Sequence, residues 1–236
     1  MFIHWDDARS FQDRSTKRFA RFGHQTIRPA MTKLSNVMIS GGGTGGHIHP
    51  ALAIADEIKK RNPQANIRFV GALGRMEMTK VPASGYPIDG LWISGIERSM
   101  TSMKNWSFPF KLLSSLMTSR KLLKKHQPQV VVGVGGFASG PLLYQAARKG
   151  IPTLIQEQNS FPGITNRILA NRVDRICAGL PGLSRWFPSE RIVETGNPLR
   201  KSVCDSWTIR LPLLRKLQVI GVSPTNFRLC LSWEEA

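Results

Sequence analysis

Acidic side chains are scarce in this chain: 15 Asp and Glu face 33 Lys and Arg, leaving +18 over 236 residues. An imbalance of that size calls for an anionic partner. Nucleic acid is the first candidate, but the sequence lacks what would support it. It has no RNA-binding signature, no zinc-finger spacing and no basic helix carrying base-reading residues. Cysteine is equally sparse. Cys177, Cys204 and Cys230 are odd in number and unpaired in spacing, which excludes a disulfide frame and reads as reduced thiols. His4, His24, His49 and His126 are isolated, so no metal and no cofactor is expected. No run approaches the ~18 apolar residues that span a bilayer. Residues 1–30 lack the apolar centre of a secretory signal. They hold scattered charge without a period and are expected to be a disordered extension, with Met31 as a natural start. Asp6, Asp7 and Asp13 count against a transit peptide.

Glycine, by contrast, is concentrated where it matters. The apolar run Val37-Met38-Ile39 breaks into Gly41-Gly42-Gly43-Thr44-Gly45-Gly46-His47, and a helical pattern follows from Pro50. A strand that opens through glycines into a helix suits a phosphate, because bare backbone N–H groups and the helix N-terminus both favour an anion. The dinucleotide fingerprint fits Gly41, Gly43 and Gly46, but no acid occurs between Arg61 and Met76 to hold a ribose. A Walker loop would need Lys then Ser or Thr where His47 and Ile48 stand. A second unit strengthens a different reading. Gln129 to Val132 runs into Gly133-Val134-Gly135-Gly136-Phe137-Ala138-Ser139-Gly140-Pro141, then into another helix. Two such loops at the carboxyl ends of one parallel sheet can face a shared cleft and hold a diphosphate.

Beyond Leu34 the pattern alternates. Strands are expected at 35–40, 66–71, 129–134, 152–156, 174–178 and 191–194. Helices are expected at 50–61, 75–83, 108–126, 141–149, 162–171 and 181–187. Strands separated by helices imply a doubly wound, parallel, Rossmann-like α/β sheet. Between Arg98 and His126 seven cations and no acid are interleaved with Trp106, Phe108, Phe110, Leu112, Leu113, Leu116 and Met117. An apolar face edged by Lys121, Lys124 and Lys125 suits an anionic membrane surface. The competing reading packs those apolar groups onto the sheet.

Four motifs in order carry a family resemblance: Gly42 to His47, Gly135 to Pro141, Glu157-Gln158-Asn159 with Gly163-Ile164-Thr165-Asn166, and Gly196-Asn197-Pro198-Leu199-Arg200. From about Leu34 to Val203 the chain resembles the MurG family of bacterial peptidoglycan N-acetylglucosaminyltransferases. The resemblance implies the amino-terminal domain of a GT-B glycosyltransferase. It also implies inverting transfer of N-acetylglucosamine from UDP-N-acetylglucosamine to lipid I, the undecaprenyl-diphospho-muramoylpentapeptide. The place would be the cytoplasmic face of the inner membrane, peripherally bound, with the anionic membrane surface as a further partner.

Inverting transfer needs a base and a means of stabilising the departing diphosphate. His47 is one candidate base, and it also lies where it could hold a phosphate; Glu157 is the other. By resemblance Thr44, Gly45, Gly46, Asn159 and Arg200 meet the UDP-sugar. Gly42, Gly43, Gly135, Gly136, Ser139 and Gly140 form the acceptor diphosphate loops. Trp106, Phe108 and Phe110 meet lipid. Gln156 stands where many members carry His, which argues against a base there. The tail from 204 to 236 bears no likeness to the family's second domain, which is expected to be absent. Ser232 to Ala236 is compatible with Leu-Gly-Gly-Ser in a neighbouring reading frame, suggesting a frameshift near Val203. The domain expected is thus 31–203. The alternative function is an inactive lipid I-binding or membrane-docking module.

Overall fold

A computed structural model describes residues 34–95 and 106–200. The expected extension at 1–30, the tail from 204 and the cations Arg98 and Lys104 lie outside the described residues. The chain alternates β1 (Asn36–Gly41), α1 (Gly45–Arg61), β2 (Asn66–Ala72), α2 (Glu77–Ala83), β3 (Ile88–Leu91), α3 (Phe108–His126) and β4 (Val130–Gly135). It continues through α4 (Ser139–Arg148), β5 (Thr153–Glu157), α5 (Ile164–Leu169), β6 (Arg175–Ala178) and β7 (Ile192–Glu194). All seven strands are parallel, in the order β3-β2-β1-β4-β5-β6-β7. The doubly wound sheet therefore reverses its winding between β1 and β4, the place where such folds bind ligands.

Strand periodicity explains the two layers. Successive side chains point to opposite faces. Val37, Ile39, Ile67, Phe69, Val132 and Val134 join α1 and Val81 of α2 on one side. Met38, Val70, Ala72, Val131 and Ile155 join Leu123 of α3, Leu142 and Leu143 of α4, and Leu169 of α5 on the other. Strands buried on both faces are apolar almost throughout, as parallel sheets require.

The elements fall close to the sequence-based expectation, with three differences. β3 was not expected: Ile-Asp-Gly-Leu is short and weakly β-forming, and its pairing with β2 at the sheet edge is what makes it a strand. The first helix begins at Gly45, five residues before 50, so that His47 lies in its first turn and Pro50 inside it. Thr44 sits extended before it, and its carbonyl accepts the His47 and Ile48 N–H groups. The expected helix at 181–187 is a single tight turn, Leu183–Arg185.

Candidate functional site

Both glycine loops leave the carboxyl ends of adjacent strands, and they touch. The β1–β4 register shifts after Ser40, bringing Gly41 opposite Gly135. The Gly42 N–H then donates to the Gly135 carbonyl at 3.3 Å. Gly135 and Gly136 have φ of 103° and 91°, which favours glycine. Space requires it as well. A Cβ on Gly136 would stand 2.4 Å from the Gly42 oxygen, and one on Gly135 would stand 2.6 Å from Nε2 of His47.

His47 is held from one side. Its Nδ1 lies 3.2 Å from the Gly42 carbonyl oxygen and 3.2 Å from Thr44 Oγ1. A carbonyl oxygen only accepts, so the first contact places the proton on Nδ1, with the threonine hydroxyl as a second acceptor. In the neutral ring the lone pair is then on Nε2, which lies over the bare Cα of Gly135.

The structure uses several expected ligand groups internally. Gly42 and Gly43 were expected to offer N–H groups to a diphosphate. Instead Gly42 N–H is bonded to Gly135, and Gly43 N–H donates to Glu77 Oε2 at 2.9 Å. Ser139 is fully buried and its hydroxyl donates to the Gly136 carbonyl at 2.8 Å, fixing the second loop from within. Thr44 and Gly46 are exposed and Gly45 half-exposed, with no partner on their N–H groups among the described residues. Gly140 is half-exposed at the start of α4.

Glu157, the other candidate base, is enclosed by the protein. It is 1 % exposed and accepts four hydrogen bonds. Asn159 N–H and Nδ2 donate to Oε1 at 3.0 and 3.1 Å, while Gly163 N–H and Asn166 Nδ2 donate to Oε2 at 3.1 and 2.8 Å. Four donors on a buried carboxylate tie down the β5–α5 connection. Asn159 is exposed, with its amide N–H turned inward onto Glu157. Gln156 is buried and donates to the Gly196 carbonyl at 3.3 Å, a structural use of a non-titrating side chain. Arg200 was expected at the donor; its Nε pairs with Asp56 Oδ2 at 2.9 Å. Asp56 lies eleven residues into α1, roughly 16 Å along the helix from the loop. The structure thus brings His47, Thr44 and both glycine loops together and leaves Arg200 apart from them.

Glu77, part of an Arg75-Met76-Glu77 run that also fits the family pattern, was given no role by sequence reasoning. The search for an acid ended at Met76, and Glu77 follows it. Its carboxylate is buried behind the first loop, bonded to Gly43 and Ala72. The signal was there in the glycines at 42 and 71, which make room for it.

The basic aromatic segment is arranged inside out. Trp106 is 81 % exposed and Phe110 70 %, and Leu113 and Met117 are more than half exposed. Within α3 the spacing of Phe110, Leu113 and Met117 by three and four residues places them on one face, and Trp106 stands just before the helix. The inward face of α3 carries the small Ser115 and Ser119 with Leu123, while Leu112 and Leu122 pack at its edge. Phe108, expected with Trp106 and Phe110, is half-buried. Lys121, Lys124 and Lys125 are exposed at the far end. No helix among the described residues is long and apolar enough to cross a membrane.

Elsewhere burial pushes the Cys177 thiol up to about 11, which makes it an inert core group. Burial against the Arg68 guanidinium lowers His126, and burial with the Asp56 hydrogen bond raises Tyr86.

Comparison with known proteins agrees with this architecture. The glycosyltransferase family 28 N-terminal domain matches residues 37–178. A UDP-N-acetylglucosamine–N-acetylmuramyl-(pentapeptide) pyrophosphoryl-undecaprenol N-acetylglucosamine transferase of Christiangramia forsetii is 58 % identical over 183 residues, covering 78 % of this chain and 50 % of the relative. Its Cytophaga hutchinsonii counterpart is 53 % identical over 169 residues, covering 72 % of this chain and 46 % of the relative. The crystal structure of Acinetobacter baumannii MurG superposes with a TM-score of 0.58 at 29 % identity, covering 71 % of this chain and 46 % of that one. The chain spans about half the length of the relatives it matches.

Proposed function

The chain belongs to glycosyltransferase family 28, and on that premise we propose that it is the acceptor-side part of an inverting N-acetylglucosaminyltransferase of peptidoglycan synthesis. The donor is UDP-N-acetylglucosamine and the acceptor is lipid I, giving lipid II. One observation carries the reading: at the β1–β4 switch point the two glycine loops pack together and present His47 Nε2 between them.

In this proposal His47 Nε2 takes the proton from the acceptor sugar's hydroxyl as the oxygen attacks the anomeric carbon and the nucleoside diphosphate leaves. The free N–H groups of Thr44, Gly45 and Gly46 at the α1 N-terminus face charge that grows on the leaving group. The acceptor's diphosphate lies against the second loop at Gly136 and Gly140. Asn159 turns its carbonyl toward the donor sugar. Residues 31–203 form the acceptor domain.

The α3 stripe supports a peripheral place on an anionic membrane, at the cytoplasmic face where lipid I is made. Trp106, Phe110, Leu113 and Met117 enter the lipid, and Lys121, Lys124 and Lys125 meet its headgroups, each contributing about 1 kcal/mol. Two measurements test the proposal. The chain joined after Arg200 to the carboxy-terminal half of the Christiangramia forsetii relative should transfer radiolabel from UDP-N-acetylglucosamine to a lipid I analogue. His47→Ala should slow it ~10²–10⁴-fold. Liposomes containing anionic lipid should bind a chain starting at Met31. Trp106→Ser with Phe110→Ser should weaken binding at every salt concentration, whereas Gln at the three lysines should flatten its salt dependence. A chimera inert toward the acceptor would overturn the enzymatic reading, and indifference to anionic liposomes the membrane one.

A further inference from the structure

The geometry points to Glu77 as a positioning residue that fixes the proton of His47, acting through the one peptide group that joins Gly42 to Gly43. This rests on the reading of His47 as the base. The Glu77 carboxylate is 1 % exposed, and no cation pairs with it among the described residues. A buried, unpaired carboxylate is costly unless hydrogen bonds hold it, and here both oxygens are used. Oε1 accepts from Ala72 N–H at 3.0 Å and Oε2 from Gly43 N–H at 2.9 Å. Its room is reserved. A Cβ on Gly42 would stand 2.2 Å from the Glu77 carboxyl carbon, and one on Gly71 would stand 2.6 Å from its Cγ.

The Gly43 N–H and the Gly42 carbonyl belong to the same planar trans unit, so they point in opposite directions. With the N–H held by Glu77, the carbonyl faces His47 Nδ1 at 3.2 Å. Rotating the peptide by half a turn would aim the N–H at the imidazole and the carbonyl oxygen at the carboxylate. Glycine on both sides, with Gly43 at φ 85°, puts no side chain in the way of that rotation. The carboxylate opposes it, because two acceptors would then face each other. Glu77 therefore selects the carbonyl orientation, which puts the proton on Nδ1 and leaves Nε2 free. The carboxylate also polarises the peptide, strengthening the hold of the Gly42 oxygen on Nδ1–H as Nε2 becomes protonated. The logic is that of a carboxylate orienting a catalytic histidine, with one peptide group inserted between them.

The test is nuclear magnetic resonance on the full 236-residue chain labelled with 15N and 13C, with the His47 signals identified by their loss in His47→Gln. In the unsubstituted chain the expected result is an Nδ1–H imidazole. Couplings across hydrogen bonds should run from His47 Nδ1 to the Gly42 carbonyl carbon and from Gly43 N to the Glu77 carboxyl carbon. An Nε2–H imidazole, or absence of both couplings, overturns the proposal without any substitution. In Glu77→Gln the amide offers one acceptor and one donor where two acceptors are needed. The Nδ1–H to Nε2–H ratio should then fall about tenfold, the scale of one weakened charge-assisted hydrogen bond. Glu77→Asp keeps the charge and should retain part of the ratio. His126, packed against Asp89 elsewhere, should keep its signal and so reports an intact fold. A ratio unchanged in Glu77→Gln overturns the proposal. The readout needs neither donor nor acceptor. A chimera that fails to transfer while the tautomer behaves as expected therefore counts against His47 as base and not against Glu77.

Discussion

The two glycine loops read alike in sequence and are built with opposite polarity. The first is backed by an acceptor, the Glu77 carboxylate, which takes the Gly43 N–H. The second is backed by donors: the Ser139 hydroxyl on the Gly136 carbonyl and the Gln158 amide on the Val134 carbonyl. No acidic side chain hydrogen-bonds to the second loop among the described residues. A loop with an anion already behind it repels a phosphate at its centre, and one held by donors does not. Glycine content alone therefore marks a place where backbones come close. Whether a loop holds a ligand or aims a side chain depends on the charge placed behind it.

Breaking the contact between the loops should have the largest effect. Gly135→Ala puts a methyl into the His47 ring at a φ of 103°, and Gly43→Ala meets nothing within 4 Å. In the transfer-competent chimera the first should cost about 10²-fold or more in rate, since a displacement of ~1 Å has that effect. The second should cost only backbone strain of ~1–3 kcal/mol in urea unfolding, with a far smaller loss of rate. Equal losses would show that the loops respond to any distortion and not to the position of the imidazole.

Removing the group behind each loop comes next. Glu77→Ala strands two buried N–H donors and should destabilise the fold by about 2–5 kcal/mol. Ser139→Ala removes one neutral hydrogen bond and should cost about 1 kcal/mol by the same measurement. A reversal of that order would remove the polarity argued above.

Ligand binding sharpens the contrast more gently. Inorganic pyrophosphate titrated into the labelled chain should shift the amide signals of Gly136 to Gly140 at least about twofold more than those of Gly42 and Gly43, whose N–H groups are already taken. Stronger shifts at Gly42 and Gly43 would return the diphosphate to the first loop.

The smallest effect is a control outside both loops. His126 is the last residue of α3, beside Asp89, Arg68 and Lys125, and its burial lowers its proton affinity. The unfolded chain then binds a proton first on acidification. Stability should be level above pH ~6.5, fall as pH drops below it, and level again beneath the lowered folded value. His126→Gln should flatten that fall in urea midpoints without moving the amide signals of either loop. A fall that persists in this variant would place the titration elsewhere.

Much of this is legible in the sequence. Both loops, six of the seven strands and the long basic helix follow from apolar runs, glycine clusters and periodicity, all local signals. Ile88 to Leu91 was not legible as a strand, because its conformation comes from the β2 edge and not from its own residues. The aromatic segment shows the same limit from another side. Composition marked it as amphipathic, but only the packing of α3 against α4, with Ser115 and Ser119 buried, decided that Phe110, Leu113 and Met117 face outward and Phe108 partly inward.

The sequence by itself determined the winding of the sheet, the existence of two glycine turns and the choice of His47 as a candidate base, since each depends on residues close together in the chain. Only the tertiary structure decided which carboxylate does what. Glu157 and Glu77 are both acids near a strand end, and residue type alone does not separate their roles. Their roles come from the donors around them: four on Glu157, from Asn159, Gly163 and Asn166 of its own motif, that close a connection, and two on Glu77, from nearby Ala72 and from Gly43 of the β1 loop, that orient the peptide facing His47. A buried charge takes its function from whatever the fold packs around it, and for Glu77 one of those neighbours is a backbone N–H from the loop after a different strand, which no local motif records.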